Sequence, residues 1–138
     1  MARLRRSALS ILKVYGYMWR SPRLLGSPQR KGVALRLRIC TPRKPNSARR
    51  PIIKLKLSTR RLALAHIPGT GHNLRRYSRT LISGVGARDL PMVNYSCIRG
   101  VYDFEGLLTK NRRRSVYGAP MPAELKTHIR RCFRQFTD

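Results

Sequence analysis

Acidic side chains are almost missing from this sequence. Five Asp and Glu stand against 31 Lys and Arg, for a formal net charge of +26. No carboxylate side chain precedes Asp89, while the first 88 residues carry 22 Lys and Arg; ordinary composition would place roughly ten acids there. Such a surface cannot neutralise itself, so it repels its own copies and attracts polyanions, and no self-oligomer is expected. Cysteine is scarce too. Cys40, Cys97 and Cys132 are odd in number and widely spaced, with no Cys-x-x-Cys or paired-His pattern, which argues against a disulfide framework or a zinc site. Neither metal nor cofactor is expected. No apolar run reaches membrane-spanning length, so no membrane partner is expected. Catalysis has little to use, because Asp89, Asp103 and Glu105 are the only acids of the central body and no nucleophile–base–orienter set can be picked out from spacing. The Gly-rich turn Pro68-Gly69-Thr70-Gly71-His72-Asn73 lacks the longer glycine pattern and the following Lys-Ser or Lys-Thr that nucleotide hydrolysis needs. An enzyme is not expected, and no catalytic residue is assigned.

What is present is alternation. With 138 residues there is room for one domain with tails. Leu35, Leu37 and Ile39 alternate with Arg36 and Arg38, and Ile53, Leu55 and Leu57 alternate with Lys54 and Lys56, a period of two that predicts half-buried strands. A third strand is read over 62–67, with Thr80 to Ile82 and Asn94 to Ile98 as candidates for a fourth and fifth. Five short strands with no helical pattern between them predict an all-β core, a small antiparallel barrel or a sandwich. A sandwich that binds protein would show exposed apolar patches; here the outward residues of the first two strands are Arg and Lys. The division read from the sequence is a basic N-terminal extension (1–31, helix plus extended linker), a barrel with its loops (32–118) and a C-terminal helical extension (119–138). The helical readings rest on Leu4, Ala8, Ile11, Leu12, Tyr15, Met18 and Trp19 at one end and Leu125, Ile129, Cys132, Phe133 and Phe136 at the other. The first of these, Arg-rich and acid-free, also resembles an organellar transit peptide, but a retained helix docked on RNA is favoured.

The segment Thr41-Pro42-Arg43-Lys44-Pro45-Asn46-Ser47-Ala48-Arg49-Arg50 carries the most chemistry. Pro42 and Pro45 restrict their own backbone and that of the residue before each. Arg43, Lys44, Arg49 and Arg50 supply charge around Asn46 and Ser47, two short side chains that both donate and accept hydrogen bonds. A stiff cationic loop with a small polar tip suits reading the edges and sugar hydroxyls of a nucleic-acid helix while its phosphates are held. The Pro-x-x-Pro match within it leaves the polar tip and the charge unexplained. His72 and Asn73, followed by Arg75 and Arg76, form a second candidate RNA loop. Arg88, Asp89 and Pro91 form a third, in which Asp89 makes a local ion pair or orients Arg88 or the nearby loop. Arg112, Arg113 and Arg114 with Tyr117 suit phosphates and stacking.

These residues resemble the small-subunit ribosomal protein twelve family. The matching segments come in the family's order: Pro28-Gln29-Arg30-Lys31-Gly32-Val33, Thr41 to Ala48, Gly71-His72-Asn73-Leu74, Arg88-Asp89-Leu90-Pro91, Ile98-Arg99-Gly100, and Arg114-Ser115 with Tyr117-Gly118. The resemblance spans about residues 28 to 118 and implies a five-stranded oligonucleotide-binding-type barrel in the small ribosomal subunit. It implies as partners the small-subunit rRNA, the mRNA–tRNA decoding helix and neighbouring ribosomal proteins. Pro45, Asn46 and Ser47 would buttress the two rRNA adenines that inspect the codon–anticodon pair; Arg43, Lys44, Arg88 and Pro91 would hold rRNA and tune accuracy. The family's bacterial pattern has Lys where Arg43 and Arg88 stand, which changes donor geometry and implies a weak streptomycin response. Leu90-Pro91-Met92 replaces the family's Leu-Pro-Gly. The divergent, very basic ends resemble a mitochondrial version acting in the matrix, with plastid or bacterial cytoplasm as alternatives; the retained Met1 leads to an expectation of synthesis inside the organelle. A free cold-shock-like or initiation-factor-like RNA binder is the competing reading, and it would show clustered aromatics on one strand face. Few are present.

Overall fold

The computed structural model describes residues 21–123; both helical readings of the chain ends fall outside them. Five strands form a closed barrel: β1 (Gln29–Cys40), β2 (Arg50–Leu57), β3 (Leu62–His66), β4 (Arg79–Ser83) and β5 (Tyr95–Ile98). They are ordered β1-β2-β3-β5-β4 around it. β1 is long enough to pair along its first half with β4 (Val33 opposite Arg79) and along its length with β2 (Leu37 opposite Ile53). All pairings are antiparallel except β3 with β5, which run parallel and join Ala65 to Tyr95. This is the five-stranded oligonucleotide-binding-type architecture expected from the sequence, and it removes the sandwich alternative.

The inward faces follow the period-two rule where the contrast is strong. Ile53, Leu55 and Leu57 are buried while Lys54 and Lys56 are exposed. β3 turns only Ala63 and Ala65 inward, so it contributes little volume; Phe104 and Leu24, both fully buried, fill the space instead. Leu24 lies in the segment read as an extended linker, and the structure corrects that reading. Residues 21–26 form a turn tied to the barrel, with Arg23 N–H donating to the Tyr95 hydroxyl at 3.1 Å and Arg30 Nε to the Leu24 carbonyl at 2.9 Å. β1 also departs from simple alternation. Its register slips between Ala34 and Arg36, so Ala34 takes the buried place and Leu37 only packs against the core. Ile39, expected inside, is 70% exposed; the bulge bends the strand, and its last residues run past the barrel wall.

A second, smaller cluster lies on the outer side. Ile52 and Leu64, which alternate with inward neighbours, are covered by Leu90, Val93 and Ala87 from the β4–β5 connection, with Cys40 alongside. That connection is thereby fixed against the barrel beside the end of β1. Gly86 allows the approach, since a Cβ there would sit 2.1 Å from the Val93 carbonyl oxygen. Cys97 is buried in the main core, where burial pushes its thiol up to about 12 against the smaller opposing effects of Thr80 and Arg99; the thiol is protonated and unreactive at neutral pH.

Candidate nucleic-acid interface

The loop between β1 and β2 leaves the barrel as an exposed arch: Arg43, Lys44, Pro45, Asn46, Ser47, Ala48 and Arg49 all face solvent. The Lys44–Pro45 peptide is cis. Asn46 N–H donates to the Arg43 carbonyl at 3.0 Å, closing a turn around Lys44 and Pro45. The arch is then pinned by one residue of the β4–β5 connection. Arg43 N–H donates to the Asp89 carbonyl at 2.9 Å. The Asp89 carboxylate takes an ion pair from Arg50 Nη2 at 2.6 Å and a longer bond from Asn46 Nδ2 at 3.4 Å. The ion pair of Asp89 is therefore with Arg50 of β2 and not with its chain neighbour Arg88. With the Asp89 side chain 17% and that of Arg50 38% exposed, the pair is partly shielded and better placed than an ordinary surface bridge. Arg88 and Arg43 remain exposed and line one cleft of about 410 Å³ with Leu90, Met92 and Val93. Pro91 is half-buried beside them.

His66, at the end of β3, lies under this assembly. Burial lowers its pKa below the usual 6.5, the Arg50 charge lowers it further, and Asp89 opposes both. The unfolded chain therefore binds the proton more readily than the folded one, and stability rises with pH through the region just below 6.5. We expect the urea midpoint to fall between pH 7.5 and pH 5.5, and a His66→Gln variant to flatten that fall while leaving the midpoint at pH 7.5 almost unchanged.

The second candidate loop is held by a different residue. Arg99, only 3% exposed, directs its guanidinium to the carbonyls of Pro68 (2.6 Å), Glu105 (3.1 Å) and Gly71, and lies 4.4 Å over the Phe104 ring. Burial lowers its pKa, but a guanidinium stays charged at neutral pH. Asn73 completes the clamp, with Nδ2 donating to the Asp103 carbonyl at 2.8 Å and Oδ1 accepting from Glu105 N–H at 3.2 Å. Its amide is thus engaged within the protein, whereas His72, Arg75 and Arg76 are exposed; Arg76 stacks 4.9 Å over Tyr77. Arg112 and Arg113 are exposed, Arg114 and Tyr117 half-buried, around the 3-10 turn Arg114–Tyr117. Gly118 packs directly on this region: its φ is +63°, and a Cβ would meet the Arg99 carbonyl at 2.7 Å. Gly118→Ala should cost about 1–3 kcal/mol of stability, read as a lower urea midpoint with an unchanged m-value.

Arg99 was legible only as part of the Ile98-Arg99-Gly100 match; the alternation of β5 continues one residue further, which puts it inside, but a cation at an inward position carries no composition signal.

Fold and loops together define a strongly basic oligonucleotide-binding-type barrel whose exposed cationic arch is fixed by one carboxylate. The model of the family described as "Ribosomal protein S12/S23" matches residues 17–119, and the chain belongs to that family. It is 54% identical over 115 residues to "Small ribosomal subunit protein uS12m" of Paramecium tetraurelia, covering 83% of each chain. Proteins of the same name from Bigelowiella natans (50% over 99 residues, 72% of this chain and 79% of that one) and Acanthamoeba castellanii (54% over 97 residues, 69% and 76%) are similar. The chain is a mitochondrial member of the family and a structural constituent of the small ribosomal subunit.

Proposed function

We propose that this chain binds small-subunit rRNA and supports accurate codon–anticodon recognition, without catalysis of its own, beside the mRNA–tRNA helix and neighbouring ribosomal proteins. The observation that carries this reading is the Asp89 anchor: an arch with three exposed cations, Arg43, Lys44 and Arg49, and a small Asn46–Ser47 tip is held by three contacts to one residue. An arch fixed in advance loses little freedom on docking, so it lowers the cost of the closed decoding arrangement. Arg43, Lys44, Arg49 and Arg88 hold phosphates, and Pro45, Asn46 and Ser47 meet the inspecting adenines. A correct codon pair permits all polar groups at the tip to be matched; a mismatch strands some of them, at about 1–3 kcal/mol each. His72, Arg75, Arg76, Arg112 and Arg113 extend the cationic surface to further rRNA.

The test is the ratio of near-cognate to cognate incorporation on small subunits carrying Asn46→Ala or Ser47→Ala. Both variants are expected to sediment with normal subunits and to change that ratio by roughly fivefold or more, the equivalent of about one lost hydrogen bond. Normal sedimentation with an unchanged ratio in both would refute the role of the tip.

A further inference from the structure

A cleft of about 280 Å³ lies at the junction of the first half of β1, the end of β2 and the start of β4. Its floor is apolar, from Val33 and Leu57, and its rim is cationic, from Lys31, Lys56 and Arg79. Tyr102 forms one wall and is 57% exposed. This volume is at the lower end of small-molecule sites and leaves room for one ring system. No residue lining it is acidic. Asp103, the nearest carboxylate in sequence, accepts a hydrogen bond from Arg79 N–H at 2.7 Å.

The backbone at Tyr102 is left-handed. Its φ is +55°, a region that glycine or asparagine fills readily and a bulky aromatic residue rarely does. The turn is clamped from both sides: Asp103 N–H donates to the Arg79 carbonyl at 3.2 Å, and Val101 bridges to Phe104. Phe104 faces the core and Tyr102 projects at the apex. An apolar slot, an exposed aromatic wall and three unpaired-sign cations form the combination that holds a single-stranded nucleotide, base on the ring and phosphate on the rim.

We propose that this cleft receives one unpaired nucleotide of RNA, its base against Tyr102, Val33 and Leu57 and its phosphates on Lys31, Lys56 and Arg79. In the subunit this is a further RNA contact, built from residues that neither the decoding arch nor the loops 71–76 and 112–114 use. It rests on the reading of the chain as an rRNA-binding protein but not on the role of the Asn46–Ser47 tip. An acidic protein segment is the other chemistry that would fit the rim, and the experiment separates the two.

Intact small subunits would be treated with an amine-acylating reagent, and Lys31, Lys56 and Lys44 compared with the same residues in free protein. Lys31 and Lys56 should be protected, and limited ribonuclease digestion should restore their reactivity. Full reactivity in the intact subunit would overturn the proposal, as would protection that survives digestion or a carbodiimide crosslink from either lysine to a neighbouring protein. Subunits carrying Tyr102→Ala should expose one rRNA base to chemical modification by roughly tenfold more than wild type, with Tyr102→Phe close to wild type; equal modification in all three would also count against it. Lys44 serves as the separate reporter of the arch: protected Lys31 and Lys56 beside a freely reactive Lys44 would defeat the decoding role and leave this inference standing.

Discussion

Arg99→Met should lower the stability of the barrel by about 3 kcal/mol or more. The substitution keeps an unbranched chain of similar reach but removes every donor, so the carbonyls of Pro68, Gly71 and Glu105, all in part-buried bonds, lose their partner at once. A buried acceptor left without a partner costs about 1–3 kcal/mol, and loss of the stacking on Phe104 adds to it. Relief of the buried charge offsets part of the sum, which is why the expected value sits near the low end. Arg99→Lys should recover only a fraction, because one ammonium cannot reach three divergent carbonyls. Urea unfolding followed by tyrosine fluorescence reads the effect, and native-state hydrogen exchange should place the loosening in 68–73 and 103–107. A change below about 1 kcal/mol would mean that the carbonyls find water instead and that Arg99 is not the clamp of these loops.

The second large effect is expected at Asp89. Asp89→Ala removes the Arg50 ion pair and the Asn46 bond while leaving the backbone bond from Arg43 to the Asp89 carbonyl in place. The arch should then sample wider geometries and lose part of its ability to support a closed decoding arrangement. Near-cognate codons, which start with the weaker closed state, should suffer more than cognate ones. Slower cognate decoding is therefore expected together with a near-cognate acceptance reduced by roughly tenfold, equivalent to about 1.4 kcal/mol. Asp89→Asn, which still accepts from Arg50 but without the charge, should fall between. The sign matters: higher near-cognate acceptance in Asp89→Ala would mean that the anchor holds the arch away from the decoding helix. Codon-resolved translation on variant subunits measures both quantities.

Strand positions were legible where charge and apolar residues alternate sharply, as in Ile53-Lys54-Leu55-Lys56-Leu57, and also in β3 despite its small Leu–Ala contrast. The bulge between Ala34 and Arg36 was not, because Leu35, Leu37 and Ile39 satisfy an uninterrupted strand equally well. The parallel pairing of β3 with β5 depends on contacts 30 residues apart, which no local pattern encodes. Leu24 was read as linker because Pro22, Gly26 and Pro28 surround it; those residues instead shape the turn that lets it reach the core. At the arch, residue types gave the chemistry and the exposure, but the partner of Asp89 was invisible. Arg88 is adjacent in the chain, whereas Arg50 is adjacent only once β2 and the β4–β5 connection have packed through Ile52, Leu90 and Val93. Asn73, placed with His72 in the second candidate RNA loop, spends both ends of its amide on residues 103–105.

The most direct test of the central claim is ultraviolet crosslinking of intact mitochondrial small subunits, with both the crosslinked peptide and its RNA position mapped. Crosslinks from 41–50 to the rRNA that surrounds the codon–anticodon helix are predicted, with further crosslinks from 71–76 to small-subunit rRNA. Crosslinks from 41–50 that map only to rRNA remote from the decoding region, or only to another protein, would contradict the account.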